Sequence, residues 1–322
     1  MNLTAQQSIL ATLNYFDLFD YPLTLEELHV YLYCPPKELS DIGLVLQILD
    51  EQLIPRGFVA CVRGIYTLAG REAIVSTRLE RYESVHWKYK KAVRYGRLLA
   101  MLPCVRMVAV CNELAYGNAR DEGDIDLYIV SRHGYLWLTR LFCSVVMELL
   151  GQRPNIATKE KKDALCLSFL ASDHGLDCQS LLLPAVDGIV DIQFLYWIIQ
   201  LTPIYDKGDY YEQFYNQNAW VEEYLPFRIT HGLHRRRMIR LSLWGKIFKV
   251  VLEGGVRLFG SLPEVAARKF QMAILPLYLK KHLNGGTHVV MNDMVMKMHP
   301  SDKREQTREA FKKRLDHIRA AL

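Results

Sequence analysis

Apolar residues recur along this chain with two distinct periods, and the change from one to the other lays out most of its elements. Between Ala5 and Phe19, the residues Ile9, Leu10, Leu13 and Phe16 keep helical spacing. Thr24-Leu25-Glu26-Glu27 reads as a capping box, so a second helix starts there and stops before Pro35-Pro36. Ser40 and Asp41 are caps for a third helix running to Gln52. Gly57 to Val62 and Ile65 to Leu68 are short β-rich runs around Arg63-Gly64, the pattern of a hairpin. Arg71 to Met101 is a long helical stretch studded with cations, among them Arg78, Arg81 and Lys88, for which a solvated face is the expectation. Strand-like runs follow at Val105 to Val110, Gly123 to Val130 and Ala164 to Leu170, with a helix from Leu138 to Leu150 packed on their sheet. Beyond them the pattern predicts an aromatic-rich helix over Asp191 to Gln200 and an aromatic region from Tyr210 to Pro226. An amphipathic stretch covers Leu241 to Phe259, and a charged helix capped by Ser301 covers Asp302 to Ala321.

Three helices and then a hairpin is the order of a winged helix. Its third helix, Leu44 to Glu51, is apolar and acidic, whereas a DNA-recognition helix needs cations for phosphates and polar tips for base edges. A scaffold or substrate-positioning role suits it better. The expected architecture is α+β: a winged-helix domain over 1–70, a linking helix over 71–100, a central sheet with flanking helices over 101–187, and a helical, basic C-terminal domain over 188–322.

Composition agrees with a packed globular chain, 50% hydrophobic and 23% charged across 322 residues. The seven cysteines show no C-x-x-C pair, which points to reduced thiols and a cytoplasmic protein. The N-terminus lacks a basic segment followed by an apolar run, and the most apolar stretches, Leu138 to Leu150 and Ile189 to Leu201, fall short of a bilayer span. The net charge of +5 is uneven, with about 20 Lys/Arg against about 7 Asp/Glu from Arg228 onward. That basic region has three candidate partners: nucleic acid, nucleotide phosphates, or the acidic remainder of the same chain. The cluster Arg235, Arg236, Arg237 and Arg240 precedes the amphipathic stretch, which is read as packed against the protein, with a membrane-surface helix as the alternative. His282, His288, His299 and His317 lack metal spacing and are read as structural or surface groups.

Chemistry concentrates at Gly123-Asp124-Ile125-Asp126-Leu127. On a strand, residues i and i+2 point the same way, so Asp124 and Asp126 share a face while Ile125 and Leu127 enter the core. Two carboxylates so close repel each other unless they hold a hard divalent cation such as Mg²⁺, which prefers oxygen ligands. Paired Mg²⁺ ions stabilise the entering and leaving oxygens of nucleotidyl transfer.

The run from Val108 to Val130 resembles the signature of DNA polymerase β-like nucleotidyltransferases: a strand, a helical turn and loop around Tyr116-Gly117-Asn118-Ala119-Arg120, and a strand bearing Asp-x-Asp. The resemblance covers roughly residues 100–175, with a looser similarity to bacterial members that carry an N-terminal winged helix. It implies a polymerase β-like central sheet, Asp124 and Asp126 as catalytic metal ligands, and nucleotide contacts from Asn112, Glu113, Tyr116, Asn118 and Arg120. It also implies an NTP substrate, a Mg²⁺ cofactor, and transfer of a nucleoside monophosphate to an acceptor. Asn112-Glu113 stands where the family has Gly-Ser: Asn112 can still donate to phosphate, while Glu113 brings a negative charge unless it turns away, binds a metal or acts as base. A third acid belongs on the next strand, where Ser168 holds the polar inward position and Asp173 is the candidate replacement. Arg132 and Arg140 are further phosphate candidates, or surface groups. The aromatics from Tyr210 to Tyr224 would cover the cleft or pack in the core. The alternative function is a catalytically inactive member of this fold, serving as a binding or scaffold module or binding nucleic acid.

Overall fold

A computed structural model of the chain describes residues 3–153, 162–229, 237–299 and 302–322. Helix α1 (Ala5–Asp17) opens on a capping box between Thr4 and Gln7. After β1 (Leu23–Thr24), α2 (Leu25–Val30) opens on the expected box, with Thr24 Oγ1 accepting from Glu27 N at 3.3 Å and Glu27 Oε2 accepting from Thr24 N at 2.9 Å. Asp41 caps α3 (Ile42–Ile48) by accepting from Gly43 N at 2.8 Å. Strands β2 (Val59–Val62) and β3 (Ile65–Leu68) turn through Arg63 and Gly64, both at positive φ, which matches the twist of a two-residue hairpin. With β1 they make a three-stranded antiparallel sheet in the order β1-β3-β2.

Three cations of α4 (Ile74–Met101), Arg78, Arg81 and Lys88, are committed inward, while Lys90, Arg94 and Arg97 keep the expected solvated face. Arg78 holds the Glu27 carboxylate at 2.6 and 2.9 Å. Arg81 donates to Phe19 O and to Asn118 Oδ1. Lys88 donates to the carbonyls of Asp121 and Gly123 and to the Asp163 carboxylate. The helix therefore ties the N-terminal elements to the loop that leads into Asp124.

The central sheet is built from β4 (Val105–Val110), then, after the short helix α5 (Asn112–Ala115), β5 (Ile125–Ser131), and, after α6 (Leu136–Leu149), β6 (Leu165–Ser172). Next come α7 (Ile192–Gln200), β7 (Thr202–Asp206), α8 (Tyr210–Gln217), α9 (Leu243–Leu258), α10 (Leu262–Ile274) and α11 (Leu277–His282). The hairpin β8 (Val289–Met291) and β9 (Val295–Met298) precedes the last helix, α12 (Arg304–Ala321). The six strands lie in the order β7-β4-β5-β6-β9-β8; β5 and β6 are parallel and the other neighbours antiparallel. Half of these strands come from the region expected to be helical, so the sheet crosses the boundary expected near residue 188. The physical reason is length. Runs of five, three and four residues are too short to show a period, and β9 is completed only by the edge that β6 offers.

Alternation along β5 sets the layers. Ile125, Leu127 and Ile129 face a core shared with α4, α6 and α10. Tyr128 and Val130 face another, shared with α1, α7 and α12. Asp126 is in phase with that second set, so the carboxylates emerge beneath α7. The basic tail is partly neutralised within the chain, with Arg314 on Asp17 at 2.6 Å and Arg304 on Asp191 at 2.6 Å. Arg235, Arg236 and Ser301 lie outside the described residues. No helix among the described residues is long and apolar enough to cross a membrane.

Candidate functional site

The start of β5 opens into a cleft of about 350 Å³ lined by the sheet, α5, α7 and residues at the end of β9 and the start of α12. Asp124 is exposed and Asp126 half-buried. A carboxylate oxygen of each and the Cys166 sulfur lie within 4.8 Å of one another. Cys166 stands directly beside Asp126 across the parallel β5–β6 ladder. Its thiol lies within reach of both carboxylates and favours their ionised forms.

Charge is unbalanced here. Burial first, and then the neighbouring Asp124, push the Asp126 carboxyl well above the ordinary carboxylate range. Burial also raises Asp124, with Glu113 adding to the effect against its own backbone hydrogen bond and Lys88. Among the described residues neither carboxylate meets a cation at ion-pair distance, and Asp126 accepts from the Asn112 amide at 2.7 Å with the thiol beside it. Burial, Asp126 and Asp124 together raise the Cys166 thiol, which keeps it protonated.

The cleft collects Asn112, Glu113, Tyr116, Arg120, Asp124 and Asp126, six of the residues expected there. Asn112 has φ of 55°, a left-handed conformation that asparagine tolerates better than most side chains, so it can occupy a position suited to glycine. Its amide is turned to Asp126 rather than left free for a phosphate. Glu113 turns away from the carboxylate pair and accepts from Arg120 at 3.0 and 3.3 Å. The Tyr116 carbonyl accepts from Tyr21 at 2.6 Å, which fixes the turn against the N-terminal elements.

Two expected residues are elsewhere. Asn118 is buried and structural, donating to Phe19 O at 2.9 Å and accepting from Arg81. Asp173 follows the far end of β6, where its backbone N–H meets Ser131 O and its carboxylate accepts from His133 N. Because β5 and β6 are parallel, the length of a seven-residue strand, roughly 20 Å, separates Asp173 from Asp124. Asp173 is therefore not the third acid. Arg140 is also remote, held against α10 by Gln271, and Arg132 sits over Tyr135 at the far strand end.

The remaining walls were not read from the sequence. Phe194 and Trp197 of α7 line one side, with the Trp197 ring stacked on Phe169 at 4.8 Å. The aromatics of α8 instead enter the core, where Phe214 packs against Tyr128. Lys297, His299, Lys303 and Arg304 form the opposite, cationic wall. Lys297 and Arg304 share the Asp302 carboxylate, each at 2.7 Å. Burial alone would raise Asp302, but those two cations hold it down at about 2. His299 bonds Ser168 at 2.8 Å, and burial followed by Lys297 pushes its pKa down to about 4, so the imidazole is neutral. A period-two reading of Ala164 to Leu170 puts Cys166 on the Ser168 face, so that residue was within reach. Nothing local marks Lys297 or Arg304 as neighbours of Asp126.

The donor set tests the expected cation. Two carboxylates lacking a positive partner fit one hard divalent ion, while the thiol beside them is a poor ligand for Mg²⁺ and a better one for softer ions. Compared with protein-family models, with curated proteins and with solved structures, the chain matches none.

Proposed function

We propose that the chain is a nucleotidyltransferase, moving a nucleoside monophosphate from an NTP to an acceptor hydroxyl or phosphate. The observation that carries this reading is the pair Asp124 and Asp126, both carboxyls raised and, among the described residues, neither in an ion pair. Asp124 and Asp126 would hold Mg²⁺, which supplies Lewis-acid stabilisation of phosphate charge. The three-helix and hairpin arrangement before the sheet suits a winged helix, and the antiparallel β4–β5 pair with Asp-x-Asp beside a short helical turn suits a polymerase β-like core.

Each wall has a part in this scheme. Phe194 and Trp197 offer ring surface to a base, a common use of aromatic side chains in clefts. Lys303, exposed at the rim, and Arg120, once released from Glu113, offer charge to the phosphates. In the transfer, the acceptor oxygen bonds the α-phosphorus as the bond to the leaving pyrophosphate breaks. The carboxylate pair is left to accept the hydroxyl proton, because the Cys166 thiol is already protonated.

A second reading, an inactive module of the same fold, draws support from the thiol in the third position and from the Glu113–Arg120 pair that occupies the phosphate side. Isothermal titration with each NTP and Mg²⁺, repeated on Asp124→Ala, tests the first reading; heat unchanged by that substitution defeats it. Magnesium-dependent pyrophosphate release excludes the second.

A further inference from the structure

Helix α9 is packed inside out. Its buried stripe is Gly245, Lys249 and Glu253, one residue per turn. Lys249 donates to the carbonyls of Ala100 and Val105 at 2.8 and 2.6 Å, and Glu253 pairs with Arg106 at 3.1 Å. On the opposite side of the same helix, Trp244, Ile247, Val251 and Leu258 keep apolar helical spacing and point away from the protein. Trp244 is 79% exposed and Leu258 86%. The turn into α10 continues the surface with Phe259 and Leu262, and α10 itself exposes Phe270 and Ile274. The reading of this stretch as an apolar face packed on the protein is thereby corrected: most apolar residues point outward because the inward side is held by the Lys249 bonds to carbonyls and the Arg106–Glu253 pair, with Val256 its apolar contact.

A contiguous surface of this kind on a soluble chain marks a place where something else binds. The charges around it identify what. The exposed charged side chains from Leu241 to His282 are Lys246, Arg257, Arg268, Lys269, Lys280 and Lys281, all cationic. The two acids of the segment, Glu253 and Glu264, are turned inward, onto Arg106 and onto the backbone of Trp137 and Leu138, and the exposed Asp293 beside it is paired with Arg268 at 3.1 Å. The balance of exposed charge is therefore strongly positive, which an anionic lipid surface attracts and a protein interface does not require. Aromatic and aliphatic side chains along a helix and the turn after it, with cations beside them, are the arrangement of an interfacial helix lying in a membrane surface.

We infer that the outward apolar side of α9 and α10 docks the protein on an anionic lipid bilayer, its apolar ridge in the acyl boundary and the lysines and arginines from α9 to α11 at the headgroups. The surface is separate from the cleft, since none of its residues lines that space. This inference does not depend on the nucleotidyltransferase reading.

Flotation of the full chain with vesicles tests it, comparing phosphatidylcholine alone with phosphatidylcholine containing phosphatidylglycerol. The wild-type chain is expected to float with the anionic vesicles and to be released by raised salt. Val251→Asp with Leu258→Asp should lower the bound fraction at least about tenfold, and Lys280→Glu with Lys281→Glu by a similar factor. Both variants change outward side chains, so an unchanged unfolding temperature shows that each is folded. Equal binding to neutral and anionic vesicles overturns the proposal. So does an absence of flotation together with a concentration-dependent dimer that Val251→Asp dissociates, which would make the ridge a contact between two copies of this chain.

Discussion

Two groups of acids lie on the same side of the central sheet, and the protein treats them differently. Asp191 and Asp302 are matched: Arg304 reaches both, at 2.6 and 2.7 Å, and Lys297 holds Asp302 at 2.7 Å. Asp124 and Asp126 lie across the cleft with each other, an amide and a thiol for company. Cations within the chain satisfy the first group, which makes it architectural. The second has acidic oxygens in place and, among the described residues, no cation at ion-pair distance. The first group is the more deeply buried and is ion-paired, whereas the second opens to the cleft, and acids without a partner at a cleft are what a ligand site looks like before its ligand is considered.

Substitutions can break this contrast. The largest effect is expected at Arg304. Removing its guanidinium strands the fully buried Asp191, so Arg304→Ala should cost about 3–5 kcal/mol in urea unfolding, as breaking one side of a buried pair does. A loss under about 1 kcal/mol would mean that the matched cluster is not structural. Asp126→Asn should act in the opposite sense, removing like-charge repulsion and stabilising the metal-free chain by on the order of 1 kcal/mol. Destabilisation of that variant at neutral pH would show that the pair is not strained.

The contrast also appears in pH dependence. The folded-state pKa of Asp126 is raised, so its ionised form costs stability above that pKa, and the cost is relieved as the pH falls through it. Asp302 is depressed, so its contribution is present above the unfolded carboxylate pKa and is lost as the pH falls towards about 2. Urea midpoints of the metal-free chain should rise, from this pair alone, as the pH is lowered from weakly alkaline towards weakly acidic. Asp126→Asn should flatten that rise while leaving the acid limb in place. The smallest effect belongs to Glu113→Gln. Its partner Arg120 is largely exposed, so stability should move by less than about 0.5 kcal/mol, while affinity for an NTP rises as the guanidinium is released. Unchanged or weaker nucleotide binding would argue against a phosphate role for Arg120.

Legibility followed the range of the interactions. The Thr24 box, the Arg63-Gly64 hairpin, α4, β4 and the in-phase pair Asp124 and Asp126 depend on neighbours a few residues away, and they stand where the pattern put them. Strands β7 and β9 depend on edges supplied from distant β4 and β6, β8 joins only through β9, and their short runs left no period to read. The same holds for the cleft. Its cationic wall arrives with β9 and α12, and the parallel register of β5 and β6 selects Cys166 and removes Asp173, a choice that spacing in one dimension cannot make. Helix α9 misleads for a different reason: its amphipathic pattern is genuine, but the side that packs is the polar one.

Titration of the chain with Mn²⁺, followed by the paramagnetic resonance of the free ion, addresses the unmatched pair most directly. The account predicts one saturable site per chain that Mg²⁺ displaces, that weakens as the pH falls, and that Asp126→Asn abolishes. Free ion that never diminishes on adding protein, or uptake that Asp126→Asn leaves intact, would contradict it.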